Sequence, residues 1–207
     1  MVVNFKKCKA VMYGLANRPY IPEALRSVKS PLILHISDTP VEIYRFLYRV
    51  IEQLRPAVIL HTGDVADNFK IEFQKNHLVH YQRSVLPFLK KLHTINGAKV
   101  HVVQGNHDEP DILLKAMPGS RFNDRSVILY GQKFHLMHII DQAPVDPGFY
   151  CFGHRFEPHS EDLGAYILLN GLNNINVIDT KNWQIYHLEY PVGTNGYRKM
   201  SSGRMGL

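Results

Sequence analysis

Three stretches of this chain end alike: a short apolar run, a small residue, then an oxygen-bearing side chain. Leu32-Ile33-Leu34-His35-Ile36 leads into Ser37-Asp38, and Ala57-Val58-Ile59-Leu60 leads through His61-Thr62-Gly63 to Asp64. Val100-His101-Val102-Val103 leads through Gln104-Gly105 to Asn106. If the runs are parallel strands, the residues past their carboxyl ends converge on one edge of the sheet. Two carboxylates and an amide oxygen gathered there make a hard nest for a divalent cation. Two later runs add imidazoles, at His138 after Phe134-His135-Leu136-Met137 and at His154 after Phe152-Gly153. A mixed oxygen and nitrogen set suits Mn, Fe, Zn or Co better than Ca or Mg alone. The 12 His among 207 residues agree with this, because imidazole is a common metal ligand.

Each of these residues also has a structural reading. Asp38 and Asp64 fit helix N-caps at strand–helix junctions, and His138 taken singly fits a hydrogen-bonded strand histidine. Asp67 reads as a cap or as a support behind the ligands. His61, His101 and His135 alternate with apolar residues and are expected to be structural. The recurrence of one pattern at successive strand ends favours the metal reading.

The intervening sequence supplies the elements this requires. Ile43, Leu47, Val50, Ile51 and Leu54 fall at helical spacing, and Pro56 stops that helix. A second helix is expected over about residues 70–94 with a break at Pro87, and a short one near 110–117. Strand, helix, strand, helix, strand in that order implies a parallel sheet with right-handed crossovers. The remainder reads as strands: Ser126–Tyr130, Phe134–His138, Phe149–Phe152, Tyr166–Leu169, Ile175–Ile178 and Gln184–Leu188. Residues 1–30, broken by Pro19 and Pro22, are expected to form an N-terminal extension outside the main domain, 31–190. Residues 191–207, rich in Gly, Ser and basic side chains, are expected to be a flexible basic tail.

Composition narrows the class. The apolar fraction of 45% and charged fraction of 20% are those of an ordinary globular domain. No apolar run reaches the roughly 18 residues of a membrane span. The first residues lack the apolar core of a signal peptide. Cys8 and Cys151 are the only cysteines, so a reduced, cytoplasmic protein is expected. The net charge of +6 favours anionic partners. Part of it lies at the ends, in Lys6, Lys7, Lys9, Arg198, Lys199 and Arg204, and no continuous basic stripe interleaved with aromatics is present, so nucleic acid ranks behind a small phosphate ester as partner.

In order and wording, Asp38-Thr39-Pro40, Gly63-Asp64-Val65-Ala66-Asp67, Gly105-Asn106-His107-Asp108, His138 and Gly153-His154 resemble the successive motifs of calcineurin-like metallophosphoesterases. The resemblance covers about residues 31–190. It implies an α/β fold, a four-layer α/β/β/α sandwich of mixed sheets flanked by helices, with two divalent metals at one end. Carried over, Asp64, Asn106, His138 and His154 complete one metal site. The other retains Asp38 and the shared Asp64, but Pro40 and Phe156 stand where two histidines are expected. One firm metal is therefore expected, manganese among the candidates, with a second that is weak, substrate-dependent or absent. His35, Glu157 and His159 are candidate substitutes by proximity in sequence.

The function implied is hydrolysis of a phosphomonoester or phosphodiester, such as a nucleotide-type substrate, by attack of metal-bound hydroxide. His107 would stabilise the transition state or protonate the leaving oxygen, Asp108 would orient its ring, and Arg155 would grip phosphate as a planar fork. The alternative is a phosphoesterase fold kept as a protein-binding scaffold, as in the retromer subunit of the same superfamily. The loss of ligands at Pro40 and Phe156 favours it. A nucleic-acid-processing enzyme ranks third.

Overall fold

The computed structural model describes residues 9, 12–71, 73, 75–118 and 126–199. Lys6, Lys7, Cys8 and Arg204, singled out above, lie outside the described residues.

The strands are β1 (Leu32–Ile36), β2 (Val58–His61), β3 (Lys99–Val102), β4 (Ser126–Leu129), β5 (Gln132–Leu136), β6 (Gly148–Phe152), β7 (Glu161–Asp162), β8 (Tyr166–Asn170), β9 (Ile175–Asp179) and β10 (Ile185–Leu188). The helices are α1 (Glu23–Arg26), α2 (Tyr44–Leu54), α3 (Leu78–Thr94), α4 (Pro110–Ala116) and α5 (Thr194–Tyr197). Two five-stranded sheets form, in the orders β10-β9-β1-β2-β3 and β4-β5-β6-β8-β7. Both are mixed. β1, β2 and β3 pair in parallel, as their helical crossovers require, and β9 and β10 join antiparallel.

Alternation along β1 explains why the sheets stack. Leu32, Leu34 and Ile36 face α2 and α3, packing with Phe46, Leu47, Val50, Val85 and Phe88. Ile33 points the other way and, with Val58, Leu60 and Ile178, meets Phe134, Leu136, Phe149 and Cys151 of the second sheet. A strand buried on both faces reads as a continuous apolar run, which is how β1 and β2 read. Cys151 is free and buried in this inter-sheet layer. The architecture is thus the expected α/β arrangement of two mixed sheets flanked by helices.

Three expectations need correction. α3 runs through Pro87 without a break. An interior proline costs about 3 kcal/mol. Burial of Tyr81, Val85, Phe88, Leu89 and Leu92 on this one helix outweighs that, at about 1.5–3 kcal/mol per large apolar side chain. Residues 12–30 are not wholly peripheral either, because Ile21 and Leu25 belong to the helical-side core. Nor does the chain become a tail at Pro191: α5 follows, and Arg198 is 1% exposed. Its Nε donates to the Asp38 carbonyl (2.6 Å), and its two terminal nitrogens donate to the carbonyls of Leu172 (2.8 Å) and Ser37 (3.3 Å). Residues 200–207 of the expected tail lie outside the described residues.

Candidate metal centre

Register sets the edge on which the site is built. Ile36 pairs with His61 and His61 with Val102, so the loops after β1, β2 and β3 leave the sheet side by side. They are stitched by backbone: Asp38 N–H donates to the Gly63 carbonyl and Thr39 N–H to the Asp64 carbonyl, both at 3.0 Å. Asp38 (φ 51°), Asp64 (φ 55°) and His154 (φ 68°) are all left-handed, a strained state for residues with a Cβ. The glycines of the pattern permit close approach. A Cβ on Gly105 would lie 2.1 Å from Asp64 Oδ1, and one on Gly153 would lie 2.2 Å from Asp38 Oδ2.

The loops converge on His138, which is 6% exposed. Its Nε2 lies 3.0 Å from Asn106 Oδ1, 3.2 Å from His154 Nδ1 and 3.3 Å from Asp64 Oδ2. Its Nδ1 is 2.8 Å from the Thr62 carbonyl, which can only accept, so Nδ1 carries the hydrogen. In the neutral ring this leaves the Nε2 lone pair facing the other three atoms, the usual way a ligating histidine is oriented. One proton on Nε2 cannot serve three acceptors at once, whereas a cation can. Ligand bonds of about 2.1 Å in tetrahedral or octahedral geometry put ligand atoms roughly 3.0–3.4 Å apart, as found here. Asp64, His138 and His154 form a group whose ligand atoms all lie within 4.8 Å of one another. The residues present therefore fit a divalent ion.

The charges of the cluster are tightly linked. Burial alone would raise the Asp64 carboxyl, but the hydrogen bond and charge of His138, with His107 behind, bring it down to about 2. Burial would lower His138, but the hydrogen bond to Asp64 and the charges of Asp64 and Asp38 lift it to about 9. The two behave as one buried ion pair. Burial and the His138 charge lower His154.

The side of the expected second ion is different. Asp38 is buried, and its Oδ2 accepts the His154 backbone N–H at 3.0 Å. Pro40 is buried ahead of a short 3-10 turn, and Phe156 is 43% exposed. None of the proposed substitutes joins Asp38. His35 is held between Thr62 Oγ1 (2.9 Å) and Asn176 Nδ2 (3.1 Å), while His159 and Glu157 pair with each other on the surface.

A second group does form around Asp64, with Asp67 and His107, and its ligand atoms again lie within 4.8 Å. His107 N–H donates to Asp64 Oδ1 (2.8 Å), and the His107 ring sits 3.2 Å from Asn106 Nδ2. Asp67 is 1% exposed and paired with Lys70. Burial and the charges of Asp64 and Asp38 raise its carboxyl to about 7, with Lys70 opposing. From sequence Asp67 is expected only as a cap or a support; its place three residues after Asp64, in Gly63-Asp64-Val65-Ala66-Asp67, is the signal for this closer position.

Asp108 is occupied elsewhere. It accepts backbone N–H groups from Asp64 (2.7 Å), Val65 (2.8 Å) and Gly105 (2.8 Å), and the Tyr81 hydroxyl (2.8 Å). Burial and the Asp64 charge push its carboxyl up to about 6 against those bonds. Such a carboxylate ties two site loops to α3. Arg155 follows His154 and is exposed. His61 is structural, with Nε2 2.8 Å from Thr39 Oγ1 and Nδ1 accepting Gly63 N–H at 3.2 Å.

The family model described as calcineurin-like phosphoesterase matches residues 31–198. No curated protein matches the chain. Among solved structures it is similar to Yfce, a phosphoesterase from E. coli, with 17% identity and a TM-score of 0.52, covering 77% of this chain and 99% of that one. A second solved structure is 16% identical with a TM-score of 0.51, covering 78% of this chain and 99% of its own. At such identities the likeness is one of fold.

Proposed function

Because this chain belongs to the calcineurin-like phosphoesterase family, we propose that it hydrolyses a phosphomonoester or phosphodiester at one divalent ion held by Asp64, Asn106, His138 and His154. The observation that carries the reading is the spacing around His138 Nε2, three potential ligand atoms at 3.0–3.3 Å with the ring's other nitrogen committed to a carbonyl. When bound, such an ion acts as a Lewis acid on a phosphoryl oxygen and supplies a nucleophile at neutral pH.

The chain's own groups do the rest. His107 gives a proton to the leaving oxygen. Asp64 holds the His107 backbone by accepting its N–H at Oδ1, and Asp67 is gathered with the two of them; Asp108, committed to three backbone N–H groups and Tyr81, positions the loops instead. Arg155, exposed beside His154, binds a phosphate oxygen. Asp38 supports the ligand cluster by fixing the His154 backbone, and a second ion there is weak or absent, since Pro40 and Phe156 offer no ligand atom.

The test is His107→Gln, assayed for metal content and for turnover of a chromogenic ester. Unchanged metal content with kcat lowered 10²–10⁴-fold is the expected result, the usual share of general acid–base catalysis. A loss below about tenfold would remove His107 from the chemistry.

A further inference from the structure

A cavity of about 520 Å³ opens beside the metal centre, and its lining does not include Asp64, Asn106 or His154. His138 is common to the two, and Gln104, in the cavity wall, precedes Gly105-Asn106 in the chain. Its outer rim is the segment 139–146, fastened over the second sheet by Tyr150, whose hydroxyl accepts the Asp146 N–H (3.2 Å) and donates to the Asp146 carbonyl (2.8 Å).

The lining narrows what this space can take. Its base is aromatic, with His135 stacked on Tyr150 at 4.2 Å and 18°. Met137 and Val103 add apolar wall, while Gln104 and Gln142 supply amide donors and acceptors and Asp141 and Asp146 two carboxylates, the second paired with Lys133 (3.1 Å). Among the described residues no lysine or arginine lines it, so the bound group is not itself anionic. A polyol would leave the aromatic and thioether surfaces without complementary contact. A methyl or glycerol group would leave most of the volume to water. A planar heterocycle with N–H groups, carried on a sugar, matches size, flatness and polarity together.

We propose that this cavity holds the nucleoside portion of the substrate, and that the phosphate it esterifies reaches the metal centre past His138. The inference rests on the phosphoesterase reading above, and makes the substrate a nucleotide with few charges beyond the reacting phosphate. Asp141 and His135 are thereby specificity residues for the base.

Binding of adenosine and of ribose to the metal-free protein, measured by calorimetry, tests this apart from any turnover. Adenosine is expected to bind at least tenfold more tightly than ribose. Ala143→Trp, which fills the exposed rim, and the pair Asp141→Leu/Gln142→Leu, which removes its polar groups, should each weaken adenosine at least tenfold. All these positions are exposed, so folding is not at stake. Adenosine binding no tighter than ribose, or unaltered by both variants, would overturn the proposal. Failure of the metal-loaded protein to hydrolyse simple chromogenic esters would instead overturn the phosphoesterase reading, because those esters do not need the cavity.

Discussion

Acid should loosen this protein through two buried imidazoles that lie behind the loops of the candidate metal centre. His35 Nδ1 faces the Asn176 amide nitrogen, whose Oδ1 lies 2.7 Å from His187 Nδ1, so the amide orientation is fixed and His35 Nδ1 accepts. His61 Nδ1 likewise accepts the Gly63 N–H, while the Thr39 hydroxyl at its Nε2 donates onward to the Val65 carbonyl. Each ring is therefore neutral, with a bare Nδ1 opposite an N–H. Burial, with the His61 charge acting on His35, lowers His35 from 6.5 to about 3. Burial likewise lowers His61 from 6.5 to about 3, Asp64 opposing and His138 assisting. The unfolded chain thus takes up two protons that the folded chain refuses. The stability these rings contribute is complete above pH 6.5 and is lost as pH falls from 6.5 towards 3. At pH 5 each ring costs about 1.5 × 1.36, or roughly 2 kcal/mol, so the pair costs about 4 kcal/mol of a total near 5–15. Urea denaturation at pH 7 and pH 5, on wild type and on His35→Gln and His61→Gln, reads this directly. Each variant should be less stable at pH 7 but lose about 2 kcal/mol less than wild type between the two pH values. Equal losses in wild type and variants would refute the argument, since all other titrating groups are shared.

Two further outcomes follow from the same geometry. Arg198→Met strands three carbonyls, at Ser37, Asp38 and Leu172, and should cost about 3 kcal/mol or more in chemical denaturation; a change within about 0.5 kcal/mol would fit a flexible tail instead. Pro40→His combined with Phe156→His should raise bound metal from one to two per chain by mass spectrometry under native conditions, and an unchanged count would mean that Asp38 is not poised for a second ion.

The apolar runs announced β1, β2 and β3 because strands buried on both faces leave a contiguous signal, and the small residue at each end marked where the chain turns out of the sheet. The ligand candidates were legible for the same reason: Asp38, Asp64 and Asn106 are defined by position relative to those runs. What sequence hid was long-range. Arg198 bonds to Asp38 across 160 positions, and nothing in a Gly- and Ser-rich stretch announces a buried guanidinium. Asp108 sits beside His107 in the chain, yet its carboxylate turns towards the backbone of Asp64 and Val65, 44 and 43 residues away. Pro87 misled because propensity counts the lost hydrogen bond but not five buried side chains on the same helix. No helix among the described residues is long and apolar enough to cross a membrane, in line with the absence of a long apolar run.

Everything proposed for this protein turns on the edge around His138 binding a divalent ion and using it on phosphate esters. Metal content should be measured together with Mn-stimulated hydrolysis of a chromogenic monoester and diester, comparing wild type with Asp64→Ala. One firmly held ion per chain and metal-dependent turnover are expected, both lost in the variant. No bound ion and no turnover in wild type, or turnover that survives Asp64→Ala, would contradict it.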